Sequence, residues 1–318
     1  MKILTIHHPH SLQKEDLPPM AMALGYFDGI HLGHRKVINK AKEAAEKNGW
    51  KSAVMTFDPH PSVVLSQQHK EIELITPLDE KKEIVEKMGI DYFVVVRFTS
   101  DFASLEPKDF VNQYIAGLNV QHVVAGFDFT YGRFGKGTME TLPLMANGRF
   151  TLTTIEKLTD SSFQEKVSST LIRKLLREGE TEAAAVPLGR FYKTKGIVVH
   201  GEKRGRQIGF PTANIQHEDH YIIPKTGVYT VRILVAGQWF NGVCNVGYKP
   251  TFKNPEEYSQ TVEVYIIDFD RSIYGEEIEI EWHLRIRDEK KFNGIEELKA
   301  QISKDKETAI EYFKKIQD

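Results

Sequence analysis

The chain changes rhythm near its middle, and no other feature constrains its fold as much. Up to about residue 186, apolar runs alternate with amphipathic helical stretches. Residues 20–27 are apolar and end in a glycine-containing turn. Residues 36–47 have helical spacing, with Val37, Ile38, Ala41, Ala44 and Ala45 on one side. Residues 51–57, 92–96 and 122–125 read as strands, and 79–88 and 107–116 as helices. Such an alternation predicts a parallel sheet flanked by helices, with ligands bound beyond the carboxyl ends of the strands. Two more helices are expected at 169–177 and 180–186. In the first, Leu171, Ile172, Leu175 and Leu176 form an apolar stripe and Arg173, Lys174 and Arg177 a basic face. Pro187-Leu188-Gly189 then breaks the pattern and sets a boundary between domains 1–186 and 187–318. Beyond it, residues 195–200, 227–235, 238–246, 260–268 and 277–285 read as strands with turns and no helix between them, which predicts an antiparallel sheet or closed barrel. A charged amphipathic helix at about 295–315 closes the chain.

The 318 residues suffice for two domains of roughly 150 residues each. With 42 basic against 44 acidic residues, the net charge of −2 gives no footprint for bulk nucleic-acid or membrane binding. The single cysteine, Cys244, rules out a disulfide framework, and it reads as a small buried hydrophobe. No run approaches the roughly 18 apolar residues of a membrane helix, and the first sixteen residues do not read as a signal peptide. The expectation is a soluble cytoplasmic protein. His7, His8 and His10 read as terminal histidines rather than metal ligands, and His69, His217, His220 and His283 as isolated histidines in polar surroundings.

The most informative stretch of the first half is G-Y-F-D-G-I-H-L-G-H over residues 25–34, between an expected strand and an expected helix. His31 and His34 lie on one side of the helix start, and Gly33 leaves room for a phosphate chain near the backbone. The helix N-terminus favours an anion, and two imidazoles can stabilise charge developing on phosphate. A zinc pair or a structural turn would use the same residues, although zinc needs further ligands and no cysteine is near. Three other segments can join this site. T-F-D-P-H-P over 56–61 follows the next strand and reads either as a proline-stiffened loop or as part of the site. G-F-D-F-T-Y-G over 126–132 carries aromatics that suit a core or a flavin or adenine ring. Ser169 and Thr170, followed by Arg173, read either as a helix cap or as a clamp on triphosphate oxygens.

In the second half, H-G-E-K-R-G-R-Q-I-G-F-P-T-A-N over 200–214 sets three glycines and three basic residues in one loop. Such a loop suits a phosphate cradle, or a glycine-rich hairpin with solvated charges; it is not a Walker A loop. Thr212 and Asn214 alternate onto one face of an extended segment, where two neutral oxygens can hold a magnesium ion bound to ATP phosphates.

Together these segments resemble the bacterial bifunctional riboflavin kinase/FMN adenylyltransferase family. The first half carries the H-x-G-H, T-F-D-P-H-P, G-x-D-F-x-Y-G and S-S-T-x-x-R segments. The second carries G-R-Q-I-G-F-P-T-A-N, with further blocks at 227–229, 242–252 and 262–265 in the same order. The resemblance implies a Rossmann-like nucleotidyltransferase domain followed by a mostly antiparallel riboflavin kinase barrel with a C-terminal helix. It implies phosphorylation of riboflavin to FMN and adenylylation of FMN to FAD, with ATP as co-substrate, Mg2+ as cofactor and pyrophosphate released. His31, His34, Ser169, Thr170 and Arg173 would handle ATP phosphates, together with Gly25, Phe27 and Gly33. Phe57, Pro59, Asp128 and Phe129 would contact flavin. Arg206 and Gly209 would bind kinase ATP, Thr212 and Asn214 the metal, and Glu263 would be the catalytic base. Asp128 departs from an Asn found in some members; Cys244 and Tyr265 stand where others often carry Ala and His. The partners implied are flavins and ATP, with neither nucleic acid nor membrane, for a monomer or weak homo-oligomer. Two other readings remain: an enzyme with one live activity and one scaffold domain, which intact motifs in both halves oppose, and a flavin-binding regulator acting on nucleic acid, which the neutral charge and missing nucleic-acid motifs oppose.

Overall fold

A computed structural model of the chain describes all residues except 67–71, 161–164, 202–203, 218–219, 251–257 and 317–318. His69, Glu202, Lys203, Thr251 and Phe252, each part of a sequence reading above, lie outside the described residues. The chain divides into two compact units, Met1–Ser169 and Thr170–Asp318.

The first unit is built on β1 (Lys2–Ile6), β2 (Met20–Leu24), β3 (Lys51–Asp58), β4 (Tyr92–Arg97), β5 (Val120–Gly126) and β6 (Thr151–Ile155). All pairings are parallel, in the order β1-β4-β3-β2-β5-β6. The central strands are near-continuous apolar runs because helices and loops cover both faces; β2 is buried at every position. Helix α1 (Leu32–Asn48) lays Val37, Ile38, Ala41 and Ala45 on the sheet and stops at left-handed Gly49. Helix α2 (Leu78–Lys87) joins β3 to β4. The stretch expected as one helix at 107–116 is α-helical only over Pro107–Phe110 and widens to a π-turn over Val111–Ile115. From β2 the chain runs outward through β3 and β4, then returns to place β5 on the other side of β2. The topological switch point therefore lies between β2 and β5, and the loops after β3, β2 and β5 stand side by side at the carboxyl edge.

The second unit opens with α3 (Ser169–Glu178; its first residue belongs to the first unit) and α4 (Thr181–Leu188), which ends at left-handed Gly189. A closed barrel follows: β7 (Tyr192–Val199), β8 (Thr212–Gln216), β9 (Gly227–Val235), β10 (Gln238–Pro250), β11 (Tyr258–Ile266) and β12 (Glu277–Arg287). Every pairing is antiparallel, in the closed order β7-β8-β11-β10-β9-β12. Tyr192, Tyr229, Cys244 and Trp282 are among its fully buried residues, and burial pushes the Cys244 thiol well above its usual range. Helix α5 (Ile295–Lys315) buries Ala309 and Phe313 and holds Asp305 against Arg287 at 2.8 Å.

Two histidines read as isolated in polar surroundings are instead packed against partners. His283 is fully buried, its ring packed against Phe191 and Phe313 and its Nε2 3.0 Å from Glu281. It points out of the barrel, but α5 covers that face, so strand alternation alone misjudges its exposure. His217 reaches Thr194 Oγ1 at 3.1 Å, and burial pushes its pKa down to about 4.

Candidate active sites

In the first unit the chain must turn from the end of β2 into α1 within residues 25–31. It does so through left-handed backbone at Phe27 (φ 57°), Gly29 (φ 88°) and Ile30 (φ 38°). Phe27 and Ile30 are not glycine, so the turn is strained, and the burial of both side chains opposes that cost. The buried Asp28 carboxylate accepts from the backbone N–H of Ile75 at 3.1 Å and of Thr76 at 3.0 Å, which anchors the turn. His31 caps α1: its Nδ1 accepts from the His34 N–H at 3.2 Å, so in the neutral ring the proton sits on Nε2. The His34 ring stacks on His31 with centroids 3.6 Å apart, and Phe27 meets His34 edge-on at 5.3 Å. A Cβ on Gly33 would come within 3.1 Å of the His31 ring, so the bare glycine is what lets the imidazole tuck over the helix start. Gly25 donates to Met55 O at 3.3 Å, tying this turn to β3.

Ser169 joins the turn directly, its hydroxyl donating to Asp28 O at 2.8 Å. Thr170 and Arg173 follow on α3 and belong to the second unit. The T-F-D-P-H-P loop sits next to the turn because β3 pairs with β2. The Thr56 hydroxyl donates to Tyr26 O at 2.8 Å, and the His60 ring packs edge-on against Tyr26 at 4.3 Å. Phe57 is buried in an aromatic group with Phe98 and Phe102, Pro59 is half-buried, and Asp58 pairs with Arg97. After β5, exposed Asp128 pairs with Lys166, whose ammonium also lies 4.6 Å from the Phe127 ring centre. Phe129 is half-buried and stacks on Tyr131 at 6.0 Å.

Sequence reasoning missed Lys81. This lysine of α2 is 2 % exposed, and its Nζ donates to Tyr26 O at 2.7 Å. Burial drives its pKa down to about 8, against the opposing charges of Asp28 and Asp58. A signal was available: Lys81 precedes Val85 by one helical turn and shares its buried face.

In the second unit, strand register assembles the polar row. Asn214 on β8 and Asn245 on β10 both stand opposite Glu263 on β11, one from each side. Their chain neighbours Ala213, Cys244, Val262 and Val264 are buried, so the alternation turns the row to the other face. The Glu263 carboxylate is 22 % exposed and pairs with the Lys249 ammonium. A Cβ on Gly201 would overlap the Asn214 carboxamide, so the glycine loop lies close over the row. Gly209 turns that loop at φ 88°, and Phe210 packs edge-on against Tyr265 at 5.3 Å. A cavity of about 450 Å³ opens beside it, lined by Arg206, Thr212, Phe269, Arg271 and Tyr274 among others. Phe269, Arg271 and Tyr274, on the connection between β11 and β12, carry no motif and were not anticipated.

The FAD synthetase family model matches residues 13–171, and the riboflavin kinase model matches residues 188–313. A bifunctional riboflavin kinase/FMN adenylyltransferase of Bacillus subtilis is 55 % identical over 99 % of both chains. The chain belongs to the bifunctional riboflavin kinase/FMN adenylyltransferase family. Its riboflavin kinase and FMN adenylyltransferase activities make FMN and FAD, with ATP as co-substrate. The namesake of Listeria monocytogenes is 49 % identical over the whole of both chains. A crystal structure described as a macrolide-efflux protein from Streptococcus pneumoniae superposes with a TM-score of 0.86 at 34 % identity, covering 96 % of this chain and 98 % of that one. Among the described residues, no helix is long and apolar enough to cross a membrane.

Proposed function

We propose that the His31–His34 turn carries adenylyl transfer and the Asn214–Glu263–Asn245 row carries phosphoryl transfer, each domain (1–186 and 187–318) performing one step. In the first, a phosphate oxygen of FMN attacks the α-phosphorus of ATP in line and pyrophosphate leaves. Positive charge has to meet the charge that builds on both phosphates. The α1 N-terminus, His31 and His34 supply part of it, with Ser169, Thr170 and Arg173 holding the triphosphate. Gly25, Phe27 and Gly33 keep the approach open, and Phe57, Pro59, Asp128 and Phe129 receive the flavin. The observation that carries this reading is the stacked His31–His34 pair capping a helix at the sheet's switch point, with the Ser169 hydroxyl on the same turn.

In the second reaction Glu263 orients the ribityl hydroxyl of riboflavin and accepts its proton as the bond to the γ-phosphorus forms. Lys249 then has to release the carboxylate it holds. Arg206, which lines the cavity, and Gly209 bind the ATP phosphates. Thr212 and Asn214 suit magnesium, because a half-buried hydroxyl and carboxamide leave room for the water and phosphate oxygens that this ion prefers. When bound, the ion would offset charge on the transferred phosphoryl group. The near-neutral chain carries no footprint for bulk nucleic-acid binding, so flavins and ATP are its partners, and we read it as a cytoplasmic enzyme, monomeric or weakly self-associating.

The test is incubation with riboflavin, ATP and MgCl2, followed by chromatography of the flavins, with a parallel reaction in chelator. FMN should accumulate first and FAD second, and chelator should stop both. Formation of FMN and FAD at full rate in chelator would remove the metal assignment, and unchanged riboflavin would remove the kinase site.

A further inference from the structure

We infer that Lys81 is a positioning residue for adenylyl transfer, fastening the Tyr26 carbonyl so that the strained turn after it presents His31 and His34. The inference rests on the reading of that turn as the adenylyl-transfer site. Tyr26 immediately precedes left-handed Phe27, so the direction of its carbonyl sets the path of the whole turn. Two donors converge on that oxygen: Lys81 Nζ at 2.7 Å and Thr56 Oγ1 at 2.8 Å. The Tyr26 ring closes the other side, 4.1 Å from the ammonium. One buried lysine thus joins α2, the end of β3 and the turn.

The arrangement suits the charged form. Thr56 spends its proton on Tyr26 O, so it offers Lys81, 3.4 Å away, only lone pairs. The carbonyl and the ring face are electron-rich too. An ammonium satisfies all three partners, whereas a neutral amine must turn its own lone pair toward one of them. Around this group stand Asp28 from the turn, Asp58 from β3 with its partner Arg97 on β4, His60 against the Tyr26 ring, and buried Glu80 on α2 itself. Burial brings the ammonium within reach of ordinary buffers, with a pKa of about 8. The turn should therefore loosen as pH rises through that value.

The experiment follows FAD formation from FMN, ATP and MgCl2 between pH 7 and 10, for wild type, Lys81→Met and His34→Ala, with riboflavin kinase turnover of the same chains alongside. The expected result is a fall of at least about tenfold in Lys81→Met at pH 7.5, as misplacement by a fraction of an ångström produces. The deficit should shrink above pH 9 because wild type declines, and kinase turnover should be unchanged. Lys81→Met within twofold of wild type at pH 7.5, or a deficit constant across pH, overturns the inference. His34→Ala with normal FAD formation overturns the underlying site instead. Should Lys81→Met fail to fold, the wild-type profile decides: a limb near pH 8 supports the role, and a flat profile to pH 10 refutes it.

Discussion

Burial holds the Lys81 ammonium at a pKa of about 8 against an ordinary value of 10.5. Between those values the unfolded chain binds a proton that the folded chain does not, so this group makes stability rise with pH across that window. The full gain is about 3 kcal/mol. Urea unfolding at pH 7.5 and 10 should show wild type gaining on Lys81→Met by a sizeable part of that amount; equal gains in both proteins would contradict the burial argument. Stability and adenylyl transfer would then move in opposite directions with pH, as expected where a site keeps a costly charge for its chemistry. Gly33 bears on the same turn. Alanine there would press on the His31 ring at 3.1 Å without touching the core. Gly33→Ala should leave the Tm unchanged or raised, since alanine is the better helix former. FAD formation should fall on the order of tenfold through a displaced imidazole; a normal rate with an ordered helix would show that His31 does not need its observed position. Glycine spacing made Gly33 legible in the sequence. Lys81 left only the weak signal of its spacing to Val85, because one lysine among the charges of α2 reads as solvated until its partners Tyr26 and Thr56 are seen.

At the scale of elements, the strands and helices with strong periodicity were legible, and those with weak neighbours were not. The strands β9 and β12 and helix α5 begin where their patterns predict. Two edge strands went unread. In β1 only Ile6 is buried, so alternation hardly registers, and β6 is threonine-rich and half-exposed. The register that sets Glu263 between Asn214 and Asn245 is a long-range property of three strands that no local pattern carries. The helical connector is similar. Helices α3 and α4 read as the end of the first domain, yet all their residues after Ser169 belong to the second unit: Leu176 O accepts from Lys225 N–H at 3.3 Å, and the Thr181 hydroxyl donates to His283 O. A fragment of residues 170–318 should thus unfold at higher urea than one of residues 189–318, and the longer one should convert riboflavin to FMN. Equal midpoints would mean the connector contributes nothing to the barrel, and a folded, inactive long fragment would deny the barrel an independent kinase site.

For the whole molecule we propose that two separate sites act in series on one chain. The cavity beside the glycine loop and the stacked histidines lie in different units, so damage at one should spare the other. Losing a transition-state charge stabiliser costs on the order of a hundredfold or more, and losing a base in a loose phosphoryl transfer about a hundredfold. Both effects are large enough to read in one assay. The measurement is the flavin product profile of His34→Ala and Glu263→Gln, each given riboflavin and then FMN, with ATP and MgCl2. His34→Ala should stop at FMN, and Glu263→Gln should leave riboflavin largely unchanged yet make FAD from FMN at the wild-type rate. Loss of both activities in either folded variant, or wild-type profiles in both, would contradict the assignment of one step to each site.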